Sequence, residues 1–235
     1  MSEITESAQT GPDTLHQMLV ERLVADLRPV RRLWPLSFRL ALWIALEAGV
    51  LFFIVTHTHR ADLAHQIHNT WYLLSVGGFA VSGVFGASLA LRAAIPGREP
   101  HVAELVFLLV LSVASTLVLL RAPINANLPI STFIDTGWPC ALGILMFASL
   151  PWLALSWAVR RGAPLSPGLD GAMIGAAAFL CSFSLMRVNC PIDDGLHLLV
   201  WHLLPALAGI ALSAFVGSLI LKRLRRTAAA ASRQQ

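Results

Sequence analysis

Two cysteines and two histidines are the residues of this chain best suited to chemistry. Cys190, His197 and His202 fall in the stretch 189–204, NCPIDDGLHLLVWHLL, and Cys140 stands at the start of a long apolar segment. Cysteine sulfur and imidazole nitrogen bind soft and borderline metal ions, and two thiols can also form a disulfide. The four residues are therefore candidate metal ligands, and Cys140 and Cys190 are in addition a candidate redox pair.

The spacing of the two histidines argues against a self-contained metal site in this stretch. His197 and His202 are five residues apart, which places them roughly 140° from each other around an α-helix. Two side chains in that relation cannot hold one ion from a single helix face. Polar loops and helix caps are the simpler interpretation of these histidines.

Six apolar segments must position these side chains. Hydrophobic residues make up 56% of the 235 residues, charged residues only 13%, and the mean hydropathy is +0.69, whereas a typical soluble domain has about 25% charged residues. Each segment is long enough, or nearly so, to cross about 30 Å of hydrocarbon as a helix. The sequence therefore predicts an all-α polytopic membrane protein with six transmembrane helices, at 40–56, 71–93, 103–120, 137–159, 170–188 and 198–221.

The basic residues predict how these helices are oriented. All but three of the 17 Lys and Arg residues fall on one side of the predicted topology, and the exceptions are Arg60, Arg121 and Arg187. By the positive-inside rule both termini are then cytoplasmic. The calculated pI of about 9.6 is explained by this orientation and by attraction to anionic lipid headgroups, so no direct binding of nucleic acid is expected.

The segment before the first transmembrane helix carries an apolar stripe. Five residues fall on one side of a helix predicted to begin at Thr14: Leu19, Val20, Leu23, Leu27 and Val30. Two interpretations are open, an interfacial helix on the inner leaflet and a helix that enters a groove of a partner protein. Acidic residues in the segment favour the protein partner slightly, since lipid-binding helices are usually rich in Lys and Arg. The predicted organisation is a cytoplasmic N-terminal segment (1–36), a transmembrane domain (37–221) and a basic cytoplasmic tail (222–235).

The predicted topology gathers cysteines and histidines on the outer side. Cys140 and Cys190 lie near that face, where a disulfide between them can form if the compartment is oxidising. Cys181 lies inside the fifth helix and is expected to be an inert small hydrophobe. Histidines of the outer loops add to the set of candidate ligands: His57, His59, His65, His68 and His197.

Glu47 lies near the middle of the first predicted transmembrane helix. An ionisable group at that depth suggests a proton or cation site, so a small metal-ion or proton transporter that uses Glu47 and the outer histidines is one functional hypothesis. It is weakened because Glu47 has no evident cationic partner. The sequence contains no signature of metalloproteases, serine hydrolases, P-loop proteins or dinucleotide-binding enzymes, and no enzymatic activity is predicted.

Five short motifs occur in a fixed order relative to the six helices. They are ERLVADLRPVRRLWP before the first helix, PC at 139–140, RRGAP at 160–164, the run 168–175, and NCPIDDGLHLLVWH before the sixth helix. Together they resemble the negative-regulator-of-sigma-F family of six-helix bacterial membrane anti-sigma factors, over about residues 14–221.

This resemblance implies a function. Members of the family are inner-membrane proteins whose cytoplasmic N-terminal segment holds an extracytoplasmic-function sigma factor, and two outer cysteines are implicated in sensing. By the resemblance, Cys140 and Cys190 are the sensing pair, and Trp201 and His202 match an aromatic-plus-histidine position. The apolar stripe that begins at Leu19 is then the sigma-binding surface.

The leading hypothesis is thus a membrane anti-sigma factor that releases its sigma factor on an outer redox or metal signal. The partners expected are an extracytoplasmic-function sigma factor and membrane lipids, and no cofactor is expected apart from a metal ion acting as the signal. The alternatives are the transporter and a structural subunit of a larger membrane complex. No particular oligomeric state follows from the sequence.

Overall fold

Helices account for the regular secondary structure in the computed structural model, which describes residues 12–25, 33–124, 129–162 and 165–232. The helices are α1 (Pro12–Ala25), α2 (Leu36–His57), α3 (Leu63–Gln66), α4 (Thr70–Ala93), α5 (Val102–Leu119), α6 (Ile130–Arg160), α7 (Pro167–Asn189), α8 (Gly195–His197) and α9 (Leu204–Ser232). A π-helical turn, Leu198–Leu203, joins α8 to α9. The described residues divide into two units between Leu33 and Trp34, so that α1 belongs to one and α2 to α9 to the other.

Six helical runs within the described residues are long and apolar enough to cross a membrane. They are α2, α4, α5, α6, α7 and the run Gly195–Leu219, in which α8, the π-turn and most of α9 are continuous. This confirms the predicted all-α architecture of a multi-pass membrane protein. The ends agree less well, since α6 begins at Ile130 rather than at 137 and the last run begins at Gly195 rather than at 198.

Helix α7 is the centre of the bundle, because almost every side chain from Asp170 to Val188 is buried. It packs against α4, α6 and α9, and glycine allows the closest of these approaches. A Cβ at Gly175 would lie only 2.8 Å from the Cβ of Ser213 on α9. The Ser213 hydroxyl also donates a hydrogen bond to the Gly171 carbonyl at 2.6 Å, so α7 and α9 are held in backbone contact, as small residues commonly arrange between membrane helices.

The outer surface of the bundle is apolar, as a lipid-facing surface must be. Helix α5 shows this most clearly, since Ser115 and Leu119 are its buried residues while Val106, Leu109 and Leu117 are at least half exposed. Contact of these side chains with lipid tails carries no hydrophobic penalty, whereas exposing the same large apolar surface to water would be unfavourable.

The two ends of the bundle are named here by the point at which the chain enters it. The end at which α2 begins is called the proximal end, because the N-terminal segment joins the bundle there. Here Arg92 and Glu104 pair through two hydrogen bonds of 2.5 and 3.0 Å between α4 and α5. The opposite, distal end carries residues 58–69 and 190–194, which connect α2 to α4 and α7 to α8.

Candidate functional site

The two cysteines predicted to form a pair lie side by side at the distal end. Cys140 is on α6, directly after Pro139, and Cys190 is the C-cap residue that follows α7. Both are buried free thiols, and their sulfur atoms are 3.5 Å apart. Helix α6 also approaches the turn Leu198–Leu203 closely, since Gly137 on α6 has no Cβ and a Cβ there would overlap the indole of Trp201.

His197 and His202 also meet, although their spacing predicted that they would not. Their rings are 5.3 Å apart, centroid to centroid, because the intervening residues form a π-turn instead of an α-turn. A π-turn closes hydrogen bonds between residues five apart, and the Leu204 amide accordingly donates to the Leu199 carbonyl. Residues at i and i+5 then stand one above the other. The prediction that these histidines point in different directions was therefore wrong.

Pro205 explains why the helix widens at this point. A proline lacks the amide hydrogen that would bond to the carbonyl four residues earlier, and its ring presses on that carbonyl. The carbonyl in question belongs to Trp201, in the middle of the π-turn. The turn is therefore a local response to Pro205, and it moves His202 to the side of the helix that faces Cys190.

The result is a compact group of four buried side chains, Cys140, Cys190, His197 and His202, called here the Cys/His cluster. One potential ligand atom of each lies within 4.8 Å of those of all the others. The Cys190 sulfur is 3.6 Å from His197 Nε2. Both ring nitrogens of His202 are buried and have no hydrogen-bond partner among the described residues. The arrangement can support two kinds of chemistry, disulfide formation and the binding of a metal ion by sulfur and nitrogen.

Aromatic rings and one helix cap hold the two imidazoles in place. Phe183 of α7 stands edge-on to His202, with 5.7 Å between ring centroids, and Phe133 of α6 stands edge-on to His197 at 6.5 Å. The Asp194 carboxylate accepts a hydrogen bond of 2.8 Å from the His197 backbone amide and so caps α8. The cluster is therefore walled by apolar rings from helices that themselves pack tightly.

A second group of polar residues adjoins the cluster and was not singled out by the sequence. Arg60, which follows α2, is almost fully buried and forms ion pairs of 2.5 Å with both Asp62 and Asp193. Arg187 of α7 pairs with the other oxygen of Asp193, also at 2.5 Å. The signal in the sequence was that Arg60 and Arg187, with Arg121, are the only basic residues on the predicted outer side.

Arg60 also binds the backbone that carries Cys190. Its amide donates to the Val188 carbonyl at 3.1 Å and its guanidinium to the Pro191 carbonyl at 3.3 Å. With the ion pair to Asp193, these bonds fasten the end of α2 to residues on both sides of Cys190. Arg60, Asp62, Arg187 and Asp193 are called here the Arg60 network.

The charges of this network perturb one another's ionisation. The hydrogen bond from Arg60 holds the pKa of Asp62 well below its usual range. Burial by itself would raise the pKa of Asp193, but Arg60 and Arg187 outweigh burial and lower it. Burial would likewise lower the pKa of Arg60, and its two carboxylate partners raise it instead. All three groups are therefore charged at neutral pH.

The other candidate residues do not join the cluster. His57, His59, His65 and His68 are exposed, and His57 stacks on Phe53 of its own helix. Cys181 is buried away from the pair, with its sulfur 3.7 Å from the Ala80 carbonyl oxygen. Both carboxylate oxygens of Glu47 are buried without a hydrogen-bond partner among the described residues.

The residues predicted to bind a protein partner are only partly within the described chain. Helix α1 contains Leu19, Val20 and Leu23, and the first two are more than half exposed. Leu27 and Val30 lie outside the described residues.

Comparison with known proteins identifies one family. A family model described as NrsF, negative regulator of sigma F, matches residues 23–224, which is most of the chain. The match takes in α2 to α7, the Cys/His cluster and the Arg60 network. No curated protein and no solved structure matches the chain.

Proposed function

This chain belongs to the NrsF family of negative regulators of sigma F, and from that premise we propose how it regulates. It is an anti-sigma regulator in the membrane. The proposal is that its N-terminal segment sequesters an extracytoplasmic-function sigma factor at the cytoplasmic face, and that the Cys/His cluster at the opposite face controls release. The observation on which this proposal rests is the 3.5 Å separation of the Cys140 and Cys190 sulfurs.

The sigma-binding surface is proposed to be the apolar side of α1 and its continuation. Leu19 and Val20 are exposed on α1, and Leu23 shares the stripe by its i, i+4 spacing. An amphipathic helix of this kind commonly binds by laying its apolar side into a hydrophobic groove. The basic residues at the proximal end support a cytoplasmic location for this segment, which is where a sigma factor is available.

Thiol oxidation is the proposed signal. In the reduced protein each sulfur carries a hydrogen, and a disulfide forms when the two thiols lose two protons and two electrons to an oxidant such as a peroxide or a low-molecular-weight disulfide. The bonded sulfurs are about 2.05 Å apart, so they must approach by about 1.5 Å from their 3.5 Å separation. Both cysteines are buried in packed helices, and the proposal is that closing this distance draws α6 and the end of α7 together.

The Arg60 network is the proposed route from the cluster to the N-terminal segment. Arg60 is bonded to backbone on both sides of Cys190 and lies three residues after α2 ends at His57. Helix α2 in turn is preceded in the chain by the N-terminal segment that carries α1. A shift at Cys190 is therefore passed to α2 and along it to the cytoplasmic side. A hundredfold loss of sigma affinity requires about 2.8 kcal/mol of coupling free energy, which one disulfide is able to supply.

Co-purification tests both halves of this proposal. Full-length protein in membranes is expected to retain its sigma factor under reducing conditions, and a Leu19→Asp/Leu23→Asp variant is expected to lose it. Oxidant should release the sigma factor from wild type but not from Cys140→Ser or Cys190→Ser variants. Cys181→Ser is the matched control, because Cys181 is an equally buried free thiol outside the cluster.

Two results would contradict the proposal. Retention of the sigma factor by the Leu19→Asp/Leu23→Asp variant would remove α1 as the binding helix. Oxidant-induced release from both Cys→Ser variants, at the wild-type level, would remove the cysteine pair as the sensor.

A further inference from the structure

We propose that Cys140, Cys190, His197 and His202 together form a tetrahedral binding site for a thiophilic transition-metal ion of the Zn²⁺ class. The site itself stands on the geometry of these four side chains. Its regulatory role deepens the proposed function and rests on it.

Two distances within the cluster lie close to the edges of a metal-centred tetrahedron. With metal–sulfur bonds of about 2.3 Å and metal–nitrogen bonds of about 2.0–2.1 Å, a tetrahedral site has edges of about 3.8 Å between two sulfurs and about 3.5 Å between sulfur and nitrogen. The two sulfurs are 3.5 Å apart, and the Cys190 sulfur is 3.6 Å from His197 Nε2. All four ligand atoms fall within 4.8 Å of one another, so an ion can be bound with only small side-chain rotations.

The unpartnered imidazole of His202 points to a ligand. An imidazole offers one N–H donor and one lone pair, and leaving a buried polar atom unpaired costs free energy. His202 is fully buried and neither of its nitrogens has a partner among the described residues. A metal ion takes up the lone pair of one nitrogen and so removes part of that cost.

The π-turn brings His202, the fourth metal ligand, next to the other three. In a regular α-helix His202 would be roughly 140° away from His197, and the ion would have three ligands at most. With the π-turn the two rings are 5.3 Å apart. π-turns within α-helices are rare and are found frequently at functional sites, which fits a role for this one.

Charge balance favours a doubly charged ion in this buried place. Metal binding requires thiolates and neutral imidazoles, so two thiol protons are released when the ion binds. Two thiolates then neutralise the two positive charges, and the loaded site is neutral overall. A neutral site avoids the high cost of burying an unpaired charge, and none of the four ligands is more than 6% exposed.

Metal and disulfide exclude each other, because both use the same two sulfurs. A thiolate bound to the ion is not free to attack, and a disulfide has no thiolate to donate. The metal-loaded state therefore holds the sulfurs at tetrahedral spacing, and oxidation expels the ion as the disulfide forms. The cluster has three states in this description, dithiol, metal-bound and disulfide, and the last is the one that releases the sigma factor.

Titration of the purified full-length protein in detergent tests the site. Reduced wild type is expected to bind one equivalent of Zn²⁺, and Co²⁺ used as a probe should give thiolate-to-metal charge-transfer bands and the intense visible bands of a tetrahedral complex. His202→Ala should weaken Zn²⁺ binding by more than about tenfold, the scale at which perturbed metal sites lose affinity. Cys190→Ser should lose the Co²⁺ charge-transfer bands or reduce them by half, while Cys181→Ser keeps them unchanged.

Two further measurements on the same preparations distinguish failure of the metal site from failure of the proposed function. They are thermal unfolding of each variant and retention of the sigma factor. A His202→Ala variant that unfolds like wild type yet binds Zn²⁺ with wild-type affinity overturns the four-ligand site, as does a wild type without charge-transfer bands. If wild type binds Zn²⁺ but fails to retain a sigma factor, the site stands and the proposed function fails. If it retains the sigma factor without binding Zn²⁺, the proposed function stands and this inference fails.

Discussion

Arg60 offers the sharpest test of how a change at the cysteines reaches the N-terminal segment. Arg60→Gln keeps much of the side-chain length but removes the charged, planar guanidinium group that pairs with both Asp62 and Asp193. The cysteines themselves are untouched. We therefore expect the variant to form the Cys140–Cys190 disulfide as wild type does, but to release less sigma factor in response.

The size of the effect follows from the bonds that are lost. Removing one partner of a buried ion pair costs about 3–5 kcal/mol, but the Asp193 side chain is 33% exposed and that of Asp62 46%, and exposed pairs contribute at most about 1 kcal/mol. Asp193 also keeps Arg187 as a partner. We take the cost of the lost ion pairs, about 1–2 kcal/mol, as the upper scale of the coupling that passes through Arg60, which corresponds to a release response up to about 5–30-fold smaller.

Two measurements on the same sample separate sensing from transmission. Alkylation of free thiols reports the fraction of disulfide, and the amount of sigma factor left on the membrane reports release. Arg121→Gln is the matched control, since Arg121 lies at the same end of the bundle but stacks on Trp71, with 4.4 Å from its guanidinium carbon to the ring centroid. Arg60→Gln with normal oxidation and wild-type release, or Arg121→Gln with the same defect as Arg60→Gln, would refute transmission through Arg60.

Three further perturbations have defined outcomes. Arg60 and Arg187 depress the pKa of Asp193, so the Asp193 carboxylate stabilises the fold fully above the pKa of an unperturbed aspartate, about 3.9, and loses this contribution as the pH falls through its lower native pKa. The Tm difference between wild type and Asp193→Asn should therefore be constant near neutral pH and shrink in acid. A Tm difference that grows in acid would contradict this sign. Gly175→Ala would bring a Cβ to 2.8 Å from that of Ser213 and should destabilise α7 against α9 by about 1–3 kcal/mol, measured by thermal unfolding in detergent. Gly49→Ala, inside α2 with nothing within 4 Å, should cause no destabilisation, because alanine is the better helix former. Pro205→Ala restores the missing amide hydrogen and should let the π-turn relax towards an α-turn, so Zn²⁺ binding is expected to fall by more than about tenfold, and unchanged affinity would show that Pro205 does not maintain the turn.

The transmembrane helices were predictable because their signal is spread over many residues. Apolar stretches of near-membrane length identify a spanning helix whatever its neighbours are, and all six were found. Their ends depend on single residues, and there the prediction was less accurate. Asp194 caps α8 and starts the last helical run three residues early, and α6 continues back to Ile130 through the mixed stretch ISTFIDT, in which polar residues and Asp135 interrupt the apolar run.

The Cys/His cluster was predictable in its members but not in its geometry. Residue types alone suggested Cys140, Cys190, His197 and His202 as ligands, yet the assumption of regular α-helical periodicity separated the two histidines. A single proline three residues after His202 changes the local helical period. This change depends on a few local hydrogen bonds, and a periodicity averaged over the whole helix does not report it. The Arg60 network was missed for another reason, since Arg60 and Asp193 are far apart in sequence and only tertiary packing brings them together.

Helix α2 is fastened at both ends to the elements that carry the two cysteines. At its distal end Arg60 binds the backbone around Cys190. Towards its proximal end Arg39 donates to the Ala158 carbonyl at 2.8 Å and Trp43 to the Pro151 carbonyl at 3.1 Å, and both acceptors belong to α6, the helix of Cys140. In the proposed mechanism, drawing the two sulfurs together moves α6 against residues 190–194. Helix α2 is then the element bonded on both sides of that movement, which is why substitutions at its two sets of bonds test the proposal.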